Sequence, residues 1–192
     1  MRIALLGAGT IARLALQHLR RGDLPGIEVV GIGGRSAASR GAALAAEHAL
    51  PFVVGGRALL ALRPQVILEA ASHEAVREHL VPFLEAGAGV VVLSAGALAD
   101  DRLREAAEGA ARRSGAQLYV PSGGIGGLDA LKAACVAGVD EVGIRVAKPP
   151  KAWKGIPFVD ALGIDLDGVT QACTLYKGTA REGVPHFPQN VN

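Results

Sequence analysis

The sequence predicts an α/β fold built on a doubly wound parallel sheet, and three observations point to it. Half of the residues are hydrophobic, only 4% are aromatic, and glycine occurs 26 times in 192 residues. Such a composition suits small aliphatic side chains packed between a parallel sheet and its helices. Short apolar runs also alternate with longer segments of helical period, and a glycine-rich turn follows the first run.

Over the first 120 residues the predicted elements alternate between strand and helix, except that two strands follow each other in the middle. In chain order they are a strand at 3–6, a helix carrying Ile11, Leu14, Leu16 and Leu19, a strand at 27–32, a helix at 37–48, strands at 52–54 and 66–68, a helix at 74–86, a strand at 90–93, a helix at 100–114 and a strand at 117–120. Because each strand is followed by a crossover segment, the pattern predicts βαβ units in one parallel sheet.

The turn after the first strand has the sequence GAGTIA at residues 7–12, which is a G-x-G-x-x-A motif. Gly7 permits a tight turn, Gly9 lets a pyrophosphate approach the backbone, and a small third residue lets the helix pack on the strand. The start of the helix, at Thr10 and Ile11, supplies backbone donors for phosphate. This context predicts a Rossmann-type site for a nicotinamide dinucleotide. The alternative is a structural glycine turn in a flavodoxin-like domain.

The second strand ends in the sequence GGRS at residues 33–36 rather than in Asp or Glu. A carboxylate there would bind the ribose hydroxyls of NAD, whereas a guanidinium and a hydroxyl suit a 2′-phosphate. Arg35 and Ser36 therefore predict that NADP is preferred, or that NAD and NADP both serve. In the alternative interpretation Arg35 stacks on the adenine and serves either cofactor.

Small polar residues follow two further strands, in EAASH at 69–73 and SAGAL at 94–98. Ligands of doubly wound sheets bind at the carboxyl edge, so the predicted neighbours of the cofactor are Ala71, Ser72, Ser94 and Ala95. Ordinary helix capping is the alternative role for both serines. For His73 a cap or a surface position is favoured over a catalytic role.

The composition changes after Pro121, where SGGIGG at 122–127 interrupts the alternation. This predicts a dinucleotide-binding domain at 1–121 and a smaller α+β domain for substrate binding and dimerisation at 122–192. A helix is predicted at 128–137 and strands of a second sheet at 141–147 and 168–176. The second domain is expected to be incomplete at its C-terminus, because no closing helix covers that sheet.

The net charge of +2 and the dispersed basic residues argue against nucleic acid or an anionic membrane as partner. A small-molecule ligand is expected instead. Cys135 and Cys173 match no metal-ligand spacing and are predicted to be buried free thiols. With neither a signal peptide nor an apolar run of transmembrane length, a soluble cytoplasmic protein is expected.

Several motifs in the right order resemble the L-aspartate dehydrogenase family, and they span the whole chain. They are VPSGGIGGLDAL at 120–131, SAGALAD at 94–100, KPP at 148–150, AREG at 180–183 and FPQNVN at 187–192. Together they are far more specific than the glycine motif, which many unrelated dehydrogenases share.

The resemblance implies oxidation of L-aspartate to iminosuccinate with NAD or NADP, supplying a precursor of NAD biosynthesis or, after hydrolysis, oxaloacetate and ammonia. It also implies a homodimer. Gly124 falls where the family often has Ala at the nicotinamide end, and Asn190 matches a cofactor-binding Asn. Lys148 either pairs with a substrate carboxylate or fixes a loop.

No catalytic residue is assigned, because the family's catalytic His is expected beyond Asn192. His186 is interpreted as a loop histidine. Two other classes of function stay open. One is a related two-domain reductase of the homoserine dehydrogenase or dihydrodipicolinate reductase type, and the other is an NAD(P)-binding protein without turnover.

Overall fold

The computed structural model of the protein describes residues 1–187. The chain divides into two compact units, residues 1–121 and the residues from Ser122 onward. None of the helices in the described part is long and apolar enough to cross a membrane.

The first unit is built on one sheet of six strands in which every pairing is parallel. The strands are β1 (Arg2–Leu6), β2 (Glu28–Gly34), β3 (Phe52–Val54), β4 (Val66–Glu69), β5 (Gly89–Val92) and β6 (Leu118–Tyr119). Their order in the sheet is β3-β2-β1-β4-β5-β6. This is the order of the doubly wound Rossmann fold, whose direction of winding reverses between β1 and β4. The predicted fold class is confirmed.

Four helices cover the two faces of the sheet. They are α1 (Thr10–Arg20), α2 (Arg40–Glu47), α3 (His73–Glu85) and α4 (Asp101–Ser114). The helix predicted from residue 37 begins three residues later, because Ser36 to Ser39 form a turn in which the Ser39 amide donates to the Ser36 carbonyl at 3.0 Å. Two 3₁₀ helices, Gly56–Leu62 and Ala95–Ala99, were not predicted because such short segments show no helical period.

The core consists of one apolar layer on each side of the sheet, and β1 contributes to both. Ala4 and Leu6 belong to the layer that contains Phe83 of α3, whereas Leu5 belongs to the layer that contains Leu16 of α1. Successive side chains of a strand point to opposite faces, so a strand covered on both faces reads as a continuous apolar run. This is why the strands were recognisable in the sequence.

The second unit contains short helices and a small aromatic core. Its helices are α5 (Leu128–Ala137), α6 (Pro157–Asp160) and α7 (Ala180–Gly183), with 3₁₀ turns at Pro150–Ala152 and Val184–His186. Trp153, Val159 and Phe187 form its buried cluster. The helix predicted at 128–137 is confirmed.

The two strands predicted in the second unit, at 141–147 and 168–176, are wrong for this structure. Both segments are irregular, and the part of this unit that the structure describes contains no strand. Val142, Ile144 and Val146 show the alternation of a strand, but all three are exposed. Alternation identifies a segment that is able to pair, whereas a strand also needs a neighbour to accept and donate its backbone hydrogen bonds.

The prediction that the cysteines are buried is also wrong. Cys135 and Cys173 are free thiols, as expected, but both are exposed. Cys135 lies on α5, a helix with no buried residue among those that the structure describes. Cys173 lies in the irregular segment that was expected to form a strand.

Candidate functional site

Three segments meet at the carboxyl edge of the sheet where its winding reverses. They follow β1, β4 and β5 and comprise residues 7–9, 70–72 and 93–95. The parallel pairing of β1 with β4 places Leu6 opposite Glu69. The residues that follow these two strands therefore start side by side, in the crevice where doubly wound sheets bind their ligands.

Gly7 makes the closest of these contacts. Its φ is +102°, and a Cβ at this position would lie 2.5 Å from the Ala70 carbonyl oxygen and 2.9 Å from the Ala71 Cα. The Gly7 amide donates to the Gly33 carbonyl of β2 at 3.1 Å. Both the backbone conformation and the available space therefore require glycine here.

Gly9 differs from Gly7 because it is surrounded by open space. Its φ of −74° is accessible to any residue, and the nearest atom to a Cβ would be the Ala70 oxygen at 4.0 Å. Gly9 precedes α1 and, within the described chain, no side chain caps that helix. Thr10 and Ile11 are exposed, while Ala12 is fully buried. The start of α1 is open to a ligand, and Ala12, the small residue that ends the motif, is buried as the motif predicts.

Glu69, the last residue of β4, is a buried carboxylate that joins two of the three segments. It is 2% exposed. Its Oε1 accepts from the amides of Ala71 at 2.8 Å and Ser72 at 3.1 Å, and from the Ser94 hydroxyl at 2.9 Å. Its Oε2 accepts from the Ser94 amide at 2.9 Å. The segments after β4 and β5 are thus bonded to one side chain.

The two predicted serines have different roles. The Ser72 hydroxyl accepts from the Ala75 amide at 3.3 Å, so Ser72 is the N-cap of α3, as the capping alternative states. The Ser94 hydroxyl makes no capping bond but donates to Glu69. Ala71 is exposed and Ala95 is half-buried, so both backbones are accessible at the edge.

The interpretation of His73 as a cap or surface residue is wrong. Ser72 occupies the N-cap position, and His73 is the first residue of α3 and only 5% exposed. Its Nε2 has no hydrogen-bond partner within residues 1–187. Periodicity could not reveal this burial, because the first turn of a helix contains too few residues to define a face.

Glu69 was missed as a functional residue in the sequence. The available signal was its position, since an ionisable residue directly after the apolar run of a central strand is unusual in a parallel sheet. It was overlooked because polar residues at strand ends are most often exposed caps or loop residues.

The end of β2 presents cationic and hydroxyl groups to solvent. Arg35 and Ser36 are both exposed. The backbone beside them is fixed, because the Gly34 carbonyl accepts from the Gly55 amide at 2.8 Å. Both predicted residues therefore have side chains that are accessible to a ligand.

Two carboxylates of the first unit have lowered pKa values. A hydrogen bond from the Arg13 guanidinium, at 2.8 Å, and its charge lower the pKa of Glu47. The pKa of Glu74, in the first turn of α3, is lowered by its own backbone amide and by the Ser72 hydroxyl. Both groups stay ionised throughout the neutral range.

The remaining predicted site residues belong to the second unit. Gly124 is exposed in a turn, and no atom of the described residues lies within 4 Å of its Cβ position. The Lys148 carbonyl accepts from Trp153 Nε1 at 3.2 Å, and its ammonium lies 5.4 Å from the centre of that ring. These contacts fit the loop-fixing alternative.

His186 stacks on Phe158 at 4.2 Å, and Asn190 lies outside the described residues.

Comparison with known families gives a match for each part of the chain. Residues 7–121 match the family model described as the NAD binding domain of homoserine dehydrogenase. Residues 129–192 match the model described as the C-terminal part of aspartate dehydrogenase.

Curated relatives carry the name L-aspartate dehydrogenase. The protein from Cupriavidus necator is 45% identical over 130 residues, which cover 68% of this chain and 48% of that protein. L-aspartate dehydrogenase 2 from Bordetella bronchiseptica is 40% identical over 193 residues, covering 100% of this chain and 70% of that protein. The chain thus matches about half the length of the first relative and more of the second.

Among solved structures, the aspartate dehydrogenase from Thermotoga maritima matches with a TM-score of 0.69 and 26% identity. The match covers 100% of this chain and 70% of that one. The WlbA dehydrogenase from Bordetella pertussis, solved with NADH and UDP-GlcNAcA, has a TM-score of 0.56 and 22% identity over 72% of this chain and 43% of that one. The second likeness shows a shared fold. The sequence identity along the whole chain establishes that this chain belongs to the L-aspartate dehydrogenase family.

Proposed function

We propose that the protein oxidises L-aspartate to iminosuccinate with NAD or NADP as oxidant. The substrate loses a hydride from its α-carbon and a proton from its amine, and the products are iminosuccinate, the reduced dinucleotide and a proton. The observation that carries the proposal is the 40% identity to an aspartate dehydrogenase along the whole chain, both units included. Hydrolysis of iminosuccinate gives oxaloacetate and ammonia.

The carboxyl edge of the first unit fits a dinucleotide. The turn at Gly7 packs directly on Ala70, and the open space beside Gly9 lets a pyrophosphate approach the uncapped start of α1. Thr10 and Ile11 begin that helix. The bound nicotinamide ring would supply the hydride acceptor. The protein's part is to hold donor and acceptor in the geometry of transfer and to keep water out.

We assign further roles to individual residues from the resemblance to the L-aspartate dehydrogenase family. Ala71, Ser72, Ser94 and Ala95 are proposed to border the cofactor from the ends of β4 and β5. Gly124 and Asn190 are proposed as further cofactor contacts. Lys148 keeps two proposed roles: its contacts with Trp153 support fixing of the loop, and pairing with the substrate carboxylate is the alternative. We also propose a cytoplasmic homodimer that supplies a precursor of NAD biosynthesis.

NADP preference, or use of both cofactors, is proposed from the end of β2. The segment at 33–36 carries no carboxylate, and exposed Arg35 and Ser36 follow the strand. A guanidinium pairs with the negative charge of a 2′-phosphate through bidentate hydrogen bonds, whereas the neutral ribose hydroxyl of NAD offers it one acceptor and no opposite charge.

One further candidate activity has a specific observation in its favour. The model that matches the first unit is described as a homoserine dehydrogenase domain, which favours a two-domain reductase acting on another substrate. The match at residues 129–192 favours aspartate instead. Substrate comparison separates the two.

Incubation with L-aspartate and either NAD or NADP at alkaline pH is expected to raise the absorbance of the reduced nicotinamide and to release ammonia. D-Aspartate and L-homoserine serve as controls and should give no signal. Turnover of L-homoserine in place of L-aspartate would establish the reductase alternative. Cofactor binding without turnover of either substrate would favour a non-catalytic protein.

Substitution of the two turn glycines should separate folding from binding. Gly9→Ala is expected to change the free energy of unfolding by less than about 1 kcal/mol. Its φ is ordinary and its Cβ position is open, so the lower entropy of the unfolded chain favours Ala, whereas Ala is a poorer N-cap than Gly at the start of α1. NADH affinity should fall at least about tenfold, equivalent to about 1.4 kcal/mol, because the methyl occupies the space of the pyrophosphate.

Gly7→Ala is the matched comparison, measured by calorimetric titration and chemical unfolding. It should lower both stability and affinity, because its φ is positive and its Cβ would meet the Ala70 carbonyl. Undiminished NADH binding by Gly9→Ala would show that the turn does not hold the pyrophosphate.

Arg35→Ala should weaken NADPH binding by about tenfold or more, as expected for the loss of a hydrogen bond to a charged group, and should change NADH binding little. Arg112→Ala on α4, whose side chain is 73% exposed, is the control and should change neither affinity. Equal weakening of NADH and NADPH binding in Arg35→Ala would instead support stacking of the guanidinium on the adenine.

A further inference from the structure

We propose that Glu69 is a positioning residue that holds the segments after β4 and β5 together as one wall for the nicotinamide ring of the cofactor. The inference rests on the proposed nicotinamide cofactor. It adds a role for a residue that does not itself have to touch the ligand.

The Glu69 carboxylate accepts four hydrogen bonds, which come from two separate segments of the chain. Ala71 and Ser72 donate from the segment after β4, and Ser94 donates twice from the segment after β5. Glu69 and Ser94 are 25 residues apart in the chain. The carboxylate is the shared acceptor through which the positions of the two segments depend on each other.

Burial of the Glu69 carboxylate costs free energy. Glu69 is 2% exposed, and no ion pair to it occurs between residues 1 and 187. Its charge is balanced by amide and hydroxyl dipoles rather than by a cation. Burying an ionised group is costly even when it is hydrogen-bonded, and an apolar residue at a strand end avoids that cost. A carboxylate here is therefore better explained by the geometry that it imposes than by stability.

Glu69 is also connected to the glycine turn through its neighbour in the chain. Ala70, the neighbour of Glu69, is the residue on which Gly7 packs. The bonds from Ala71 and Ser72 to Glu69 fix this segment from the side facing the protein interior, while Gly7 approaches its backbone. The pyrophosphate turn and the segments after β4 and β5 thus form one continuous layer.

The position of Glu69 in the sheet indicates which part of the ligand depends on it. A dinucleotide lies across the reversal point of a doubly wound sheet, with one mononucleotide on each half. The adenosine side lies over β1, β2 and β3, where Arg35 follows β2. The nicotinamide side lies over β4 and β5, which Glu69 holds. Loss of Glu69 should therefore weaken binding of the nicotinamide ring selectively.

The test compares NADH with ADP-ribose, which lacks only the nicotinamide ring, by calorimetric titration. Glu69→Gln keeps the shape of the side chain but places an NH₂ group where one oxygen accepts, so one buried amide loses its partner. NADH affinity is expected to fall about tenfold or more, and ADP-ribose affinity should stay within about twofold. Retained ADP-ribose binding also shows that the variant is folded.

Asp100→Asn is the matched control. The Asp100 carboxylate accepts from the amides of Arg102 and Leu103 at the exposed start of α4. The substitution makes the same chemical change outside the proposed wall and should alter neither affinity.

A second variant keeps the inference testable if Glu69→Gln does not fold. Ser94→Ala removes only the hydroxyl donor and leaves the Ser94 amide bonded to Glu69. It should lower NADH affinity by a smaller factor, again with ADP-ribose affinity unchanged.

The outcomes separate this inference from the proposed cofactor. Parallel loss of NADH and ADP-ribose binding in the variants, or unchanged NADH binding, would overturn the positioning role while leaving the cofactor intact. A wild-type protein that binds neither ligand would overturn the cofactor proposal and the inference with it.

Discussion

The carboxyl edge of the sheet depends on the parallel pairing of β1 with β4. Its register places Leu6 beside Glu69, so the next residues along the two strands, Gly7 and Ala70, meet at a distance that leaves no space for a Cβ. Glycine at position 7 and the small residues that follow β4 are consequences of this register. Because the winding of the sheet reverses at the same place, the crevice for a dinucleotide opens directly above the contact.

The two halves of this edge are stabilised in different ways. On the β2 side, Arg35 and Ser36 are exposed, so substituting them should change the free energy of unfolding little. On the β4 and β5 side, Glu69 is buried and fully engaged, so a change there alters several hydrogen bonds at once. We infer that choice between cofactors resides in the first half and rigid positioning in the second.

The fold of the first unit was predictable because its central strands, β1, β2, β4 and β5, are largely buried and so read as apolar runs. Gly7 and Gly9 were recognisable from their place between a strand and a helix. Glu69 and the burial of His73 were not, because both depend on packing between segments that are distant in sequence. The exposed segment with Val142, Ile144 and Val146 shows the opposite error, in which alternation predicted a strand but no strand pairs with this segment within residues 1–187.

The central claim is that the edge of the sheet is already held in place before any ligand binds. Amide hydrogen exchange of the free protein, resolved to single residues by NMR, tests it most directly. We predict slow exchange of the Ala71, Ser72 and Ser94 amides, because each donates to the Glu69 carboxylate. Exchange of these three amides as fast as that of the exposed Gly124 would contradict it.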